Sequence, residues 1–594
     1  MSNNFSGKNV VFLVIDSLSN YNRRGVGREL MPFLTKLEKE SWYFPNMFSE
    51  APYTEAAVMS MLCGKDTLSD GGYLYRFDDS YNIFDYFKHN GYEVYNFIQP
   101  HVYPGSIVRG NTHYYCNVCY DFNVLWEYRL YLYAELYGQG KLGENDYKKI
   151  VKLLDDNFEY WQEFFKAYMT KHESLDFISY NIGRVYEDEY INEQIDFLKK
   201  EISDYQKDKV GYINRLLCQK KEHNLFKIGV LEQKRKVKDA TKEWIKCNYK
   251  EIFDEIYKTN KKNNFRLGKL NYRGILCDFR NLLKKHESNE VKNFLRNFKI
   301  YKDSIWDNDI NERLYSSDAF KAAPSIYSHI KYFEKVLDER KTESPFFSCI
   351  HVDDIHNPEM FFTYDTDDLD LLREELYDIK KALSFIPEGM TGSITYYLSL
   401  AYIDKKIKML FEMLERKKLL EDTLVIITGD HGFSFDYVNL RNSYVNNHYL
   451  ENYNVPLYVY SRGEKNFTDE RICSSSDILP TLLELFNFKR LDEKMEGKSL
   501  LATPRDYIVL QNVMGGCPDV EHRPVSMGIL KDNRLLVGES DITTEFKKIE
   551  LTEYYDLGKD PYQRINLVKG AATEISDVVE ALEKEFAKFS SRRG

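Results

Sequence analysis

Asp16, Thr54, Asp430 and His431 are residues whose types, taken together, could hold a divalent cation. Two carboxylates, one imidazole and one hydroxyl form a mixed oxygen–nitrogen donor set. That set suits one zinc or manganese ion, with magnesium or calcium as further candidates. A hydroxyl on such a cation loses its proton more readily than a free one, so Thr54 is a candidate nucleophile toward phosphorus or sulfur. The same cation would neutralise charge growing on non-bridging oxygens. His356 and His448 are candidates to hold an anionic ester or to protonate its leaving oxygen near neutral pH.

Each of these residues stands where an element should end. Asn9 to Ile15 (NVVFLVI) reads as a buried strand with Asp16 at its carboxyl end. Thr423 to Thr428 repeats the pattern: Gly429 breaks the run, and Asp430 and His431 follow side by side. The carboxyl ends of buried strands are where an open α/β sheet places its chemistry. Taken alone, Asp430 and His431 read more simply as a helix cap beside a surface histidine. Asp16 in the same arrangement reverses that order. Thr54 follows Pro52 and precedes EAAVMSML, which makes it a natural helix N-cap. The same place suits a nucleophile, because free amides and the helix dipole favour an anionic group there. A third strand, Phe346 to Ile350, ends in a crowd of His351, Asp353, Asp354 and His356. Four ionisable groups within six residues seldom serve packing alone.

Further elements frame these ends. A helix is expected around Met31 to Ser41, with Phe33, Leu34, Leu37 and Trp42 on its apolar face. IFDYFKHNGYEV reads as a helix ended at Gly91, followed by the strand VYNFIQ. Ser399 to Leu414 is an amphipathic helix, NVPLYVYS a strand, and SSSDILPTLLELF a capped helix with Asp477 in its first turn. Residues 1–105 and 341–504 therefore form an α/β catalytic core. Residues 106–340 are a largely helical insertion, with Ile191, Ile195, Leu198 and Ile202 at helical spacing. Its charged runs, KKEHN and QKRKVK, are read as solvated helix faces. Residues 505–594 form a small α+β subdomain with strand-like YIVLQNV and RLLVG and a last helix near Ile575 to Phe589.

The 594 residues suffice for a large core and two or three domains. Hydrophobic content of 43% and charged content of 29% are those of a globular chain, and the 15% aromatic content, with 47 Tyr, implies aromatic-rich packing. A net charge of -11 argues against nucleic acid as a partner. No apolar run approaches the roughly 20 residues of a membrane span, and the first residues do not pattern as a signal peptide. Nine scattered cysteines suit a reducing compartment, and a cytoplasmic location is expected. One CxxC, Cys116 and Cys119 with His113 nearby, reads better as packed thiols than as a metal site.

Several segments resemble, in family order, the sulfatase family of the alkaline phosphatase superfamily: NVVFLVID, PYTEAAVMSMLCGK, FFSCIHVDDIHNP, TLVIITGDHG and NVPLYVYS. SSSDILPTLLELF resembles the family's DxxPTLLxL helix, MEGKSLL its GxSL turn, and YYDLGKDPYQRINLV its YDLxxDPxExxNL segment. The resemblance implies an α/β fold, an alkaline-phosphatase-like mixed sheet sandwiched by helices. True sulfatases carry a C/S-x-P-x-R segment whose first residue becomes formylglycine. Here that position is Thr54, without the Pro or the Arg, and Ser17 stands where many sulfatases have a second Asp. Thr cannot become formylglycine.

A Thr nucleophile resembles the lipoteichoic acid synthases, phosphoethanolamine transferases and nucleotide pyrophosphatase/phosphodiesterases. The resemblance then implies one cation on Asp16, Thr54, Asp430 and His431. Some relatives bind a second cation, for which Asp353 or Asp354, His356 and His448 are candidates, but their spacing does not match that pattern. The expected function is metal-dependent phosphoester hydrolysis or transfer through a phospho-Thr54 intermediate. The expected substrate is an anionic phosphodiester such as a phosphoglycerol or phosphoethanolamine donor, with a glycan hydroxyl as a candidate acceptor. The alternatives are a sulfuric ester hydrolase with a nucleophile other than formylglycine, and an inactive binding scaffold.

Overall fold

Side-chain alternation along the first strand, β1 (Asn9–Ile15), divides its residues between two apolar clusters. Val11, Leu13 and Ile15 join one, and Val10, Phe12 and Val14 the other. A strand with period-two side chains and apolar residues at every position must lie between two covering layers. The computed structural model describes residues 5–20, 26–69, 81–98, 114–115, most of 133–171, 188–218, parts of 240–250, 325–356, 368–386, 394–433, 448–513, 520, and most of 523–592.

The chain continues through α1 (Val26–Leu30), α2 (Pro32–Leu37), β2 (Trp42–Phe48), α3 (Thr54–Cys63), α4 (Ile83–His89), β3 (Glu93–Phe97) and β4 (Tyr114–Tyr115). Helices α5 (Glu144–Lys171), α6 (Asp188–Lys207), α7 (Lys209–Cys218) and α8 (Ile326–Glu339) follow. Then come β5 (Phe346–Val352), α9 (Leu369–Phe385), α10 (Ile394–Arg416) and β6 (Thr423–Gly429). After these lie α11 (Leu450–Tyr453), β7 (Asn454–Tyr460), β8 (Phe467–Thr468), β9 (Cys473–Ser474) and α12 (Ile478–Leu485). The last part holds β10 (Ile508–Val513), β11 (Val525–Lys531), β12 (Arg534–Ser540), β13 (Glu550–Asp556) and α13 (Ser576–Arg592).

Among the described residues the central sheet runs β4-β3-β5-β1-β6-β7-β2-β8, with β9 also on β2. β1 pairs in parallel with both β5 and β6, whereas β7 is antiparallel to β6. The sheet is therefore mixed, as expected. One face is covered by α2, α8, α9 and α10, and the other by α3, α4 and α12. Trp42, expected on a helix face, instead opens β2: its aromatic neighbours Tyr43 and Phe44 favour the pleated sheet, and Pro45 opposes a further helical turn.

The insertion is not helical throughout. β4 lies within residues 106–340 and extends the core sheet, and α8 packs into the core through Ile326, Ile330 and Phe333. α5, α6 and α7 hold an apolar cluster of their own that includes Phe158, Leu198 and Tyr212. The CxxC and the two charged runs lie outside the described residues. In the tail, β10 to β13 form an antiparallel sheet covered by α13.

α3 joins the two parts. Val58, Met61 and Leu62 face the central sheet, while Tyr53, Ala56 and Ala57 pack with the C-terminal sheet and α13. Each of the three larger side chains contributes roughly 1.5–3 kcal/mol by burial. A helix held on both sides cannot rotate, so the direction of its first residue, Thr54, is fixed.

Candidate active site

The register of three neighbouring strands brings the acids together. Val14 lies opposite both His351 of β5 and Thr428 of β6. Two residues on, the same pleat carries Asp16, Asp353 and Asp430 at three adjacent carboxyl ends, on the face that α3 covers. Asp16, Asp353, Asp430 and His431 are all buried.

Thr54 does not cap α3: it is the first helical residue, and Tyr53 occupies the cap position without a side-chain bond. Its hydroxyl is thereby free to face the strand ends. Thr54 Oγ1 donates to Asp16 Oδ2 at 3.1 Å and lies 3.1 Å from His431 Nε2. His431 Nδ1 sits 2.6 Å from the Gly432 carbonyl. A carbonyl only accepts, so Nδ1 donates to it, and Nε2 is the ring nitrogen that faces Thr54 and Asp16. His431 Nε2 is 3.5 Å from Asp16 Oδ1 and 3.9 Å from Asp430 Oδ2.

The glycines around Asp430 and His431 answer to close approach. A Cβ on Gly429 would lie 2.7 Å from the Leu18 carbonyl oxygen, where the turn after β1 crosses the end of β6. A Cβ on Gly432 would lie 1.9 Å from the Glu451 carbonyl oxygen.

Burial by itself would raise the Asp430 carboxyl, but His431, His351 and the His431 amide hold it well below the ordinary carboxylate range. Burial would lower His351 and His356. Asp430, Asp16 and Asp353 outweigh it for His351, and Asp16, Asp353, Asp430 and Glu55 outweigh it for His356, so both stand above the usual imidazole value. The His356 ring centre is 6.4 Å from that of His431, edge to face. His356 therefore belongs to the site.

His448 lies elsewhere. Its Nε2 donates to the Leu510 carbonyl at 3.2 Å, its ring stacks on Tyr453, and it packs against Gly528 of the C-terminal sheet. Burial pushes its pKa down to about 4, against the pull of the Leu510 and Ser526 backbone. Among the described residues no contact joins it to Asp16, Thr54, Asp430 or His431. It is a neutral histidine seated between the core and the subdomain, which corrects its expected catalytic role. Asp354 also serves packing: it points to the opposite side of β5 and accepts the Ile326 amide at 3.0 Å, capping α8. With both so placed, the second-cation set that included them is not assembled.

His351 was visible in the sequence only as one of a crowd. Its Nε2 lies 3.4 Å from Asp430 Oδ2, and ligand atoms of Asp16, His351 and Asp430 all lie within 4.8 Å of one another. The signal for it was its place two residues before Asp353, on the same face of the strand. Donors sharing one cation at about 2.0–2.2 Å stand about 3–4 Å apart. The contacts of Thr54 with Asp16 Oδ2 and His431, and of Asp430 Oδ2 with His351 and His431, span 3.1–3.9 Å, and the donors are carboxylate, imidazole and hydroxyl. These residues fit a divalent cation.

Fold and site together define a mixed α/β sheet with acids, imidazoles and a hydroxyl gathered at the carboxyl ends of its central strands. Residues 8–208 and 281–488 match the sulfatase family model, more than half of the chain, and the protein belongs to the sulfatase family. It is 26% identical over 317 residues to an endo-4-O-sulfatase of Bacteroides thetaiotaomicron, which covers 48% of this chain and 60% of that protein. It is 25% identical over 125 residues to lipoteichoic acid synthase 2 of Bacillus subtilis, covering 20% of this chain and 19% of that one. The chain thus matches less than two thirds of the length of these relatives. The structure of a phosphonate monoester hydrolase from Agrobacterium radiobacter aligns with a TM-score of 0.46 and 13% identity, over 99% of this chain and 96% of that chain.

Proposed function

We propose that the protein hydrolyses a sulfuric ester with Thr54 as the nucleophile. The observation that carries this reading is the Thr54 hydroxyl, held between Asp16 Oδ2 and His431 Nε2 at the start of a clamped helix. The curated relatives support sulfate as the group: besides the endo-4-O-sulfatase they include further sulfatases.

Oγ1 of Thr54 bonds to sulfur as the bond from sulfur to the ester oxygen breaks. The hydroxyl proton passes to Asp16 Oδ2, which already accepts it in a hydrogen bond. The departing oxygen takes a proton from His356, whose acidic neighbours keep it charged toward neutral pH. Water then attacks the sulfur as the bond from sulfur to Oγ1 breaks: Asp16 returns its proton to Thr54, one water proton restores His356, and the other leaves with the released sulfate. A divalent cation held by Asp16, Thr54, Asp430 and His431 would lower the hydroxyl pKa and neutralise the non-bridging oxygens.

Thr54 itself favours a second reading. A residue that cannot become formylglycine suits a phosphoester, through a phospho-Thr54 intermediate, and the donor is then of the phosphoglycerol or phosphoethanolamine kind. Steady-state rates on 4-nitrophenyl sulfate, 4-nitrophenyl phosphate and bis(4-nitrophenyl) phosphate separate the two. Preference for the sulfate sustains the first reading, and preference for either phosphate replaces it with the second. The proposed location is cytoplasmic. Among the described residues Cys63, Cys218, Cys247, Cys349 and Cys473 form no disulfide, which agrees with a reducing compartment. Cell fractionation tests it.

A further inference from the structure

We propose that Ser17 is a positioning residue that sets the rotation of both carboxylates of the site, so that Oδ2 of Asp16 and Oδ2 of Asp430 face the reacting centre. This rests on the cation-assisted reading above. Ser17 Oγ donates to Asp16 Oδ1 at 2.9 Å, and the Ser17 amide donates to Asp430 Oδ1 at 3.1 Å. The His431 amide donates to the same Asp430 oxygen at 2.7 Å. In each acid one oxygen is taken up by Ser17. The other is left for chemistry: Asp16 Oδ2 meets Thr54 Oγ1 at 3.1 Å, and Asp430 Oδ2 meets His351 Nε2 at 3.4 Å.

The backbone explains how one residue reaches both. The Asp16 amide still continues the ladder, donating to the Val352 carbonyl on the β5 side. The next amide, that of Ser17, points to the β6 side, where the strand has ended and the Asp430 carboxylate stands in its place. Ser17 then turns at φ +64, a left-handed conformation that non-glycine residues rarely adopt, and sends the chain across Gly429. Tyr396 fastens the turn. Its hydroxyl donates to the Ser17 carbonyl at 3.0 Å and accepts the Ser19 amide at 3.3 Å, and both Ser17 and Tyr396 are fully buried. Strain held by surrounding bonds at a site is expected where geometry matters to function.

Ser17→Gly tests this, because glycine keeps the amide, accepts the positive φ and lacks only the hydroxyl. Mn2+ and Zn2+ are titrated separately into the full chain by calorimetry, with Tm measured without metal. The expected result is a cation affinity about 10–100-fold below wild type, with a Tm no lower than wild type. Ser17→Ala loses the same hydroxyl but keeps the backbone strain, so affinity and Tm both fall. A Ser17→Gly protein that binds both ions as wild type does overturns the assignment, as does an affinity loss matched by a falling Tm. Wild type that binds neither ion overturns the cation-assisted reading as well, so the two failures are distinguishable.

Discussion

Oγ1 of Thr54 lies 3.1 Å from Nε2 of His431, although 377 residues separate them in sequence. The contact exists because α3 and β6 are both locked against β1, one through the helix layer and the other through strand pairing. Thr54→Ala removes the nucleophile while sparing the helix, whose cap it does not provide. Turnover is expected to fall by at least ~10³-fold, with Tm close to wild type. Intact-mass spectrometry after a rapid acid quench should show a sulfo or phospho adduct on wild type and none on the variant. Turnover near wild type would remove Thr54 from its role.

His356 acts on the leaving oxygen, so its importance should depend on how badly that oxygen needs a proton. His356→Ala is expected to cost about 10²–10⁴-fold on esters of simple alcohols and much less on 4-nitrophenyl esters. Equal losses on both would assign His356 to binding rather than to proton transfer.

Chelation should act on both rate and stability. A cation that binds only the folded chain adds about 2.7 kcal/mol when present at ~100 times its Kd. EDTA is therefore expected to lower activity and Tm together, and added Mn2+ or Zn2+ to restore both. Asp430→Asn should abolish the Tm response to metal.

Gly432→Ala should be felt although alanine is small, because its Cβ would lie 1.9 Å from the Glu451 carbonyl oxygen. That atom belongs to the backbone and cannot rotate away. A loss of about 1–3 kcal/mol by urea unfolding is expected, with displacement of His431, whose Nδ1 is held by the carbonyl of the same glycine.

Glu50, fully buried near the junction of α3 with the C-terminal subdomain, predicts a pH slope of definite sign. Burial pushes its carboxyl up to about 8, and nearby Asp66, itself raised to about 6, adds to this against Arg505 and the Ser474 and Ser476 hydroxyls. The folded pKa lies above the unfolded value of 4.5, so the folded state holds the extra proton between the two. The stabilisation is complete below pH 4.5 and is lost as pH rises through about 8. Denaturant titrations of wild type and Glu50→Gln from about pH 5 to about pH 9 should show the variant losing this part of the decline. Identical slopes would place the effect on other groups.

β1, β3, β5, β6 and β7, the helices α3, α4, α10 and α12, and the residues at their ends were legible in the sequence. Apolar runs bounded by Asp16 and Asp430 mark themselves, because a strand buried on both faces is mostly apolar until it ends. Trp42 was misread because one aromatic residue fits a helix face and a pleated strand equally well. Which end residues meet was decided only by the tertiary structure. Strand register puts Asp353 beside Asp16 and turns Asp354 away to cap α8, a difference of one residue that composition does not reveal. His356 and His448 are alike in sequence, yet one stands among carboxylates and the other is buried against a carbonyl of a different sheet. Ser17 marks itself in the sequence only as a missing second Asp, since its role depends on a positive φ and on two acids brought together by separate strands. The chemistry of single side chains is local and can be read along the chain. Their mutual distances are set by packing between segments hundreds of residues apart, and only the folded molecule contains them.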